Sequence, residues 1–442
     1  MRIVIVNKSD STGGAAVVSR RLMEALREAG ADARMLVVEK LTDSPYVELA
    51  ASKRKAMVPF LMERLKIFFH LRFSRRNLFK VDTASDGLPL WRHPLVKEAD
   101  AILLNWVNQG MLSLKGVGSL LKLGKPVVWT MHDMWCMTGI CHHADACGGY
   151  EREGHICGVC PFLSRGSGSG DVSRDISHKV AMRKKELYGM PERLRFVAVS
   201  NWLAGRARRS VLLARQEVEV IPNAFHIFGS EGRARHPKRE GDRIRILFGA
   251  ARLDDPIKGL PTLVALTRLL RIECPEIADN IEVATYGGVK DPASLSGFGV
   301  RHVHMGVIKG EDSIRKVYEE SDILVSASSY ETLPGTLVEA QAYGCIPVAF
   351  RRGGQEDIVD HLTTGYLAEF PAGDGIDGTD ATEEAARSLM RGVLWAVARV
   401  MDGEGYSDMV RMMRENVERR FSAGAVARRY LEMLSSMKDH TR

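Results

Sequence analysis

Short runs of apolar and β-branched residues alternate with helical stretches along the whole chain, and they form two separate series. A run that is apolar throughout is typical of a parallel strand covered on both faces, and strand–helix alternation is typical of a doubly wound α/β sheet. Because 442 residues exceed one ordinary core, the two series predict two Rossmann-like domains. The predicted strands are 3–6, 35–38, 101–104, 126–130 and 195–200 in the first series, and 244–249, 281–286, 322–326 and 346–350 in the second.

The stretch between the two series is rich in Gly, Pro, Arg and His, a composition typical of a linker. We therefore expect a first domain at 1–222, a linker at 223–243 and a second domain at 244–405. Further loops are expected at 166–170, where Gly and Ser alternate, and at 372–382. The predicted helices include 15–29, 383–401 and 407–437.

Composition narrows the class of protein. Hydrophobic residues make up 45% of the chain and charged residues 26%, which excludes disordered, collagen-like and disulfide-scaffold classes. No uncharged apolar run approaches the ~18–20 residues of a membrane span, and the first apolar run is too short for a signal-peptide core. We therefore expect a cytoplasmic protein.

Charge is distributed unevenly. Residues 1–230 hold 34 Lys and Arg against 22 Asp and Glu, whereas the remainder holds 28 against 33. A basic first half suits an anionic substrate, an anionic membrane or nucleic acid. No nucleic-acid-binding signature accompanies it, so no nucleic-acid partner is predicted.

The segment 53–80 interrupts the α/β rhythm. It contains nine Lys and Arg and a single acid, Glu63, interleaved with Val, Leu and Phe. One interpretation is a basic amphipathic helix that lies on an anionic membrane surface. The other is a core helix with a solvated basic face. Pro59 is expected to cap or kink the helix.

A strand, a loop and a helix carry two glutamates in the second series. The strand ends near Ser326, the loop carries Glu331, and Pro334-Gly335 opens a helix that carries Glu339. A helix N-terminus suits a phosphate, and the carboxylates can accept hydrogen bonds from hydroxyls. The alternative is two solvated glutamates, and the spacing alone leaves both open.

The spacing Glu331-x7-Glu339 resembles the E-x7-E signature of retaining glycosyltransferases of family 4, which have the GT-B fold of two Rossmann-like domains facing across a cleft. The resemblance to the family extends over further segments of the second half, at 252–259, 344–350, 353–361 and 364–367. Segments of the first half resemble a bacterial capsular and exopolysaccharide subgroup of that family, and they lie at 13–14, 93–96, 104–106, 129–135, 199–203 and 220–223.

The resemblance implies a nucleotide-diphosphate sugar, UDP- or GDP-linked, as donor. Arg252 and Lys258 would neutralise the leaving diphosphate, Glu339 would bind ribose, and Glu331 would orient the transferred sugar. Retention would follow from front-face attack, in which the leaving phosphate takes the acceptor proton. The implied donor-binding residues also include Gly13, Gly14, Gly335, Thr336 and Leu337.

The first domain would bind the acceptor. His132 follows a strand at its carboxyl end, where ligands of α/β proteins bind, and in the family this residue faces the reacting sugar. Asp133, Asn105 and Trp106 are expected on the acceptor side, with Asp133 orienting His132 or the acceptor. Asn105 departs from the subgroup, which usually has His at that position, and the segment 224–226 departs as well. The identity of the acceptor therefore stays open.

The resemblance further implies a lipid-linked saccharide acceptor at the cytoplasmic face of the inner membrane, where the protein would lie peripherally. The C-terminal helix, 406–442, would pack back on the first domain. A non-catalytic assembly scaffold and a nucleotide-sugar epimerase are the alternative functions. The chain has no Asp-x-Asp sequence, so no catalytic metal or other catalytic cofactor is expected.

Five of the seven cysteines lie between positions 136 and 160. A cytosolic chain is not expected to use them as a disulfide framework. The four cysteines that could hold a structural zinc ion are Cys141, Cys147, Cys157 and Cys160, of which only the Cys157-x2-Cys160 half has typical ligand spacing. Reduced thiols without a ligand, or disulfides formed on oxidation, are the alternatives.

Overall fold

A computed structural model describes residues 1–145, 147–153, 156–163, 175–189, 193–227, 235, 237–371 and 379–439. The chain divides into two compact units. The first contains Met1–Ala224 together with Ala423–Arg442, and the second contains Phe225–Ser422. The loop expected at 166–170, and positions 372–378 of the other expected loop, lie outside the described residues.

The first unit is built on a parallel sheet. Within the described residues it has seven strands in the order β3-β2-β1-β4-β5-β6-β7. The strands are β1 (Arg2–Val6), β2 (Asp32–Val37), β3 (Val47–Leu49), β4 (Ala101–Leu104), β5 (Val127–Met131), β6 (Leu194–Ala198) and β7 (Val218–Val220). The helices between them are α1 (Gly14–Glu28), α2 (Lys53–His70), α3 (Pro94–Glu98), α4 (Leu114–Leu121), α5 (Ile176–Tyr188) and α6 (Asn201–Arg209).

The second unit repeats this topology. Its described strands follow the order β10-β9-β8-β11-β12-β13, and all pairs are parallel. The strands are β8 (Ile244–Arg252), β9 (Ile281–Gly288), β10 (Arg301–His304), β11 (Ile323–Ser326), β12 (Ile346–Phe350) and β13 (Tyr366–Ala368). The helices are α7 (Leu260–Glu273), α8 (Pro275–Ala278), α9 (Glu311–Glu319), α10 (Gly335–Ala342), α11 (Thr379–Met401) and α12 (Gly403–Phe421).

The predicted fold class of two Rossmann-like sheets is confirmed, and all nine predicted strands are present with small shifts at their ends. The four strands that the sequence did not indicate are β3, β7, β10 and β13. Each is three or four residues long, and β10 is largely exposed. Such strands show too little apolar pattern to be recognised, because pairing with a neighbour rather than burial defines them.

The C-terminal tail is divided between the units. The helix α12 lies in the second unit, the chain is extended at Ser422, and α13 (Ala423–Asp439) returns to the first unit. The expected single segment at 406–442 is therefore split at Ser422. In α13 the buried side chains of Val426, Tyr430 and Leu434 join the core that contains Leu22 of α1. Their spacing of four residues places them on one helix face.

The helix α2 reverses the usual arrangement of apolar and charged faces. Its buried side chains include Glu63 and Arg64 beside Ala56 and Ile67, whereas six of its large apolar side chains face outward. The exposed ones are Met57, Val58, Leu61, Met62, Leu65 and Phe69. Since successive residues of a helix are turned by about 100°, these six form one stripe of about 140°. The interpretation of this segment as a core helix with a solvated basic face is therefore wrong. Pro59 lies inside α2, not at its end.

None of the helices in the described ranges is long and apolar enough to cross a membrane.

The packing of α13 yields a stability prediction. Replacing buried Leu434 by alanine should lower the free energy of unfolding of the first unit by about 2–5 kcal/mol, because it leaves a cavity in a shared core. Urea denaturation followed by tryptophan fluorescence measures this, since five of the six tryptophans lie in the first unit. Glu432→Ala, an exposed change on the same helix, is the control, and equal effects of both variants would contradict the packing.

Candidate functional site

The strand order of the second sheet reverses between β8 and β11, which pair in parallel. At such a point the two following loops diverge and leave room for a ligand at the carboxyl ends of the strands. Arg252 ends β8, and the loop that carries Glu331 follows β11. The candidate site of this unit is built from these two loops.

The two loops are joined by an ion pair. The ammonium of Lys258 donates to the carboxylate of Glu331 over 2.5 Å, and the Ser328 hydroxyl donates to the same oxygen over 3.1 Å. The backbone also links the loops, because the Ser329 N–H donates to the Ile257 carbonyl over 2.9 Å. The side chains of Lys258 and Glu331 are 28% and 23% exposed, so a ligand can reach both.

Close backbone contacts hold the Glu331 loop in place, and they require glycine. Gly259 has a φ of +73°, and a Cβ atom there would lie 2.1 Å from the Ala327 carbonyl oxygen. Gly354 donates its N–H to the Glu331 carbonyl over 2.7 Å, and a Cβ atom on Gly354 would lie 2.0 Å from the Thr332 carbonyl oxygen. A side chain at either glycine would displace the loop.

Glu339 lies on α10, after the loop that carries Glu331, and its hydrogen-bond partner is a different residue. It accepts a hydrogen bond of 3.1 Å from Tyr318, whose hydroxyl is 3.0 Å from that of Tyr286. Burial raises the pKa of both tyrosines, so both hydroxyls stay protonated. No sequence pattern indicates this pair, because Tyr286 and Tyr318 lie on β9 and α9, far in sequence from the segment that contains Glu331 and Glu339.

The N-terminus of α10 offers hydrogen-bond donors. In the described residues no side chain caps it, and the N–H groups of Gly335 and Thr336 have no acceptor. The Leu337 N–H is used locally, by the Pro334 carbonyl at 3.2 Å. An open helix start of this kind attracts phosphate groups.

Arg252 stands apart from the two glutamates. Its guanidinium pairs with Asp255 over 3.0 Å and with Asp254 over 3.5 Å, and its side chain is 40% exposed. The structure thus joins Lys258 to Glu331 but pairs Arg252 and Glu339 with other residues. Together these groups provide two cations, an open helix start and two hydroxyl-binding carboxylates, which is a set of groups able to bind a phosphorylated sugar.

The first unit has its own reversal of strand order, between β1 and β4. Gly13 and Gly14 lie at the start of α1 beyond β1. Gly13 has a φ of +88°, and a Cβ atom on either glycine would meet nothing within 4 Å. These glycines therefore line open space at a helix N-terminus, where a phosphate or an acceptor group can approach the backbone.

His132 follows β5 and contacts Asn105, which follows β4. Its Nε2 lies 3.3 Å from the Asn105 Oδ1, and both residues line a small cavity that also touches Thr130 and Tyr430. Burial lowers the pKa of His132 to about 4, against the opposing effect of Asp133. His132 is therefore neutral near pH 7 and serves as a hydrogen-bonding group.

Asp133 does not orient His132 by a hydrogen bond. Its carboxylate accepts from Trp106 Nε1 over 3.0 Å and lies 2.6 Å from His142 Nδ1. Burial alone would raise its pKa, but His142, His143 and the Trp135 N–H outweigh burial and lower the pKa to about 2. Asp133 is thus a fixed anion that positions Trp106 and His142.

A series of buried polar contacts continues from His142. His142 Nε2 lies 2.5 Å from Asp82, and Asp82 pairs with the Arg64 guanidinium. The sequence did not single out Asp82 or His142. Their roles arise from contacts between residues that are distant in sequence, so no local pattern could have revealed them.

The four cysteines proposed as zinc ligands, Cys141, Cys147, Cys157 and Cys160, line one small cavity, and all are reduced. Among the residues that the structure describes, no group of three or more His, Cys, Asp or Glu side chains is already arranged to hold a metal ion. His155, also near in sequence, lies outside the described residues.

The match to a protein family lies within the second unit. Residues 244–389 match the model of the family described as glycosyl transferases group 1. The matched segment contains Arg252, Lys258, Glu331 and Glu339. The chain is also 25% identical over 297 residues to the putative colanic acid biosynthesis glycosyl transferase WcaC of Escherichia coli K12. That match covers 62% of this chain and 65% of WcaC, slightly under two thirds of its length.

Solved structures resemble the whole chain. Anabaena Alr3699/HepE in complex with UDP has a TM-score of 0.58 at 14% identity, covering 99% of this chain and 100% of that one. Sucrose-phosphate synthase from Thermosynechococcus elongatus has a TM-score of 0.59 at 16% identity, covering 99% of each chain. The fold is GT-B. The family match and the similarity to WcaC support a glycosyltransferase.

The low pKa of His132 predicts a pH effect. As pH falls from 6.5 towards 4, the unfolded state takes up the imidazole proton before the folded state does, so stability is lost over this window. His132→Gln should therefore lose less stability than wild type between these pH values, as measured by urea denaturation. Identical pH dependence in the two proteins would contradict a lowered pKa.

Proposed function

We propose that this protein is a retaining glycosyltransferase of surface-polysaccharide biosynthesis, in the capsular and exopolysaccharide subgroup of family 4. It moves a sugar from a UDP- or GDP-sugar to a lipid-linked saccharide. The observation that carries this proposal is the pairing of Lys258 with Glu331 beside the open start of α10. It lies at the strand-order reversal of a segment that matches glycosyl transferases group 1.

The donor diphosphate binds to the open start of α10 and to the two cations. An ammonium has three N–H donors, so Lys258 can contact a phosphate oxygen while it remains bound to Glu331. Arg252, permanently charged, binds further phosphate oxygens. Both cations stabilise the negative charge that grows on the diphosphate as the glycosidic bond breaks.

The carboxylates bind the two ends of the donor. Glu339, oriented by the Tyr318 hydroxyl, accepts from the ribose hydroxyls. Glu331, held by Lys258 and Ser328, accepts from the hydroxyls of the transferred sugar and orients it. Each carboxylate is thus positioned before the substrate arrives, which lowers the entropic cost of reaction.

Transfer proceeds with retention by front-face attack. The acceptor oxygen bonds to the anomeric carbon on the face from which the diphosphate leaves, and the departing phosphate oxygen takes the acceptor proton. No carboxylate needs to act as nucleophile. Neutral His132 serves as a hydrogen-bonding group towards the sugar, and Asn105 and Trp106 flank the acceptor.

The exposed stripe of α2 is the membrane-docking surface in this proposal. Its apolar side chains are accompanied by exposed basic residues, and the surrounding half of the chain is basic. The exposed basic residues of the segment 53–80 are Lys53, Arg54, Lys55, Lys66, Arg72, Arg75, Arg76 and Lys80. Apolar residues flanked by cations suit a membrane interface rich in anionic lipid. The protein therefore works peripherally, on the cytoplasmic face of the inner membrane, where lipid-linked acceptors are elongated.

The donor site is tested by thermal unfolding of the purified chain with UDP, GDP, ADP and their sugars. A nucleotide at 100 times its dissociation constant should stabilise the wild type by about 2.7 kcal/mol. Lys258→Ala and Arg252→Ala should lose most of this shift, because each removes a charged contact to the diphosphate.

The matched control is Arg271→Ala, an exposed arginine of the same unit that pairs with Asp279. It should keep the full nucleotide shift. A wild type that responds to no nucleotide, or a control that loses the shift as well, would contradict the donor site.

Once donor and acceptor are known, NMR of the product anomer tests retention, and an inverted product would refute front-face attack.

Membrane docking is tested by flotation with liposomes. The triple variant Leu61→Gln, Leu65→Gln, Phe69→Gln should lose most binding to vesicles of anionic phospholipid, since each side chain is at least 49% exposed and available for insertion. Binding of the wild type should fall as salt is raised, because cations contribute to it.

The control is Ile272→Gln, which removes an apolar side chain that is 75% exposed in the second unit. It should bind vesicles like the wild type. Docking through α2 is refuted if the triple variant binds as well as wild type, or if wild type ignores anionic vesicles at low salt.

A further inference from the structure

The cysteine cavity lies outside the sugar-transfer site and has no role in it. The loop that carries Cys141 leaves the end of β5, and the segment with Cys157 and Cys160 returns to the same cavity before α5. The four cysteines thus line one cavity together with apolar residues such as Ile140 and Phe162.

Backbone N–H groups point at these sulfur atoms. Gly139 donates to Cys157 Sγ over 3.1 Å, and Gly149 approaches Cys147 Sγ at 3.4 Å. A thiolate accepts a hydrogen bond more strongly than a neutral thiol does. These two N–H groups therefore favour negative charge on Cys157 and Cys147.

A buried lysine lies beside the cysteine cavity. The side chain of Lys184 is fully buried, donates to the carbonyls of Trp135 and Thr138, and lies 3.3 Å from the centre of the Trp135 ring. Thr138 also lines the cavity. In the part of the chain that the structure describes, Lys184 forms no ion pair with a carboxylate. Burial lowers its pKa to about 7, against the opposing effects of the Cys136, Cys157 and Cys141 thiols and the Asp133 carboxylate. Thiolates in the cavity therefore favour the charged form of Lys184.

We propose that Cys141, Cys147, Cys157 and Cys160 bind one zinc ion, with Lys184 as the buried counter-charge. Four thiolates around Zn²⁺ leave a net charge of about −2, which a nearby ammonium partly neutralises. Each thiol releases its proton to solvent when it binds. No three of these groups stand in metal-binding arrangement in the described residues, so the thiols close around the ion as it binds. Thiolate sulfur in a tetrahedral set selects zinc over harder cations such as Mg²⁺.

The site has a structural role. The described residues between 139 and 163 contain little regular structure, and three consecutive residues, Cys157, Gly158 and Val159, have positive φ angles. Two of these are not glycine, and such a conformation needs support from its surroundings. A zinc ion bound at both ends of this loop supplies that support close to β5, the strand that His132 follows.

The first experiment measures the metal content of the full-length chain, purified under reducing conditions without chelator. We expect about one zinc ion per chain. In Cys157→Ser and Cys160→Ser the content should fall at least about tenfold, and Lys184→Met should weaken zinc affinity about 10- to 100-fold. Cys274→Ser, which changes a cysteine outside the cavity, is the control and should keep the zinc.

A second measurement does not depend on variants that fold. Wild-type protein stripped of metal by a chelator is titrated anaerobically with Co²⁺, whose absorption bands distinguish tetrahedral thiolate coordination from oxygen coordination. The thiolate spectrum, displaced by one equivalent of Zn²⁺, is the expected result. The proposal is overturned if the purified chain has no zinc and the stripped chain binds neither ion. It is also overturned if mass spectrometry of native protein shows disulfides among the four cysteines.

Discussion

The reversal of strand order within a parallel sheet is the constraint on which the candidate sites depend. In a parallel sheet all strands end at one edge, and the loops that follow β8 and β11 leave this edge in opposite directions. The ion pair from Lys258 to Glu331 and the backbone hydrogen bond from Ser329 to Ile257 link the two loops. The same reversal between β1 and β4 brings Asn105 to the edge beside His132.

A buried polar cluster around Glu63 in the first unit accounts for the outward-facing apolar side chains of α2. Glu63 is completely buried, and its carboxylate accepts from the N–H groups of Thr83, Ala84 and Gly110 over 3.1, 2.6 and 2.8 Å. Gly110 must be glycine, because a Cβ atom there would lie 2.4 Å from the Phe60 nitrogen. Once Glu63 is fixed inward, residues on the opposite side of the helix, such as Leu61 and Leu65, can only face outward.

Much of the fold could be read from the chain. Buried parallel strands are apolar throughout, so the sequence predicts β4 and β12 at their full length, 101–104 and 346–350. The candidate residues were found because glutamates, cations and glycines follow strand ends. Their partners were not, since Tyr318, Asp82 and Lys184 act on residues far away in sequence. The break at Ser422 was missed because both neighbouring segments are helical and amphipathic.

The sequence by itself determined two α/β units, the strand ends where polar residues collect, and the grouping of five cysteines within 25 positions. These features depend on local periodicity and spacing, which a sequence displays directly. Only the tertiary structure decided that Lys258 binds Glu331, that Asp133 belongs to His142 rather than His132, and that α2 exposes its apolar face. Each of these outcomes depends on contacts between residues that are distant in sequence. Such residues compete for the same buried hydrogen bonds only once the chain is folded.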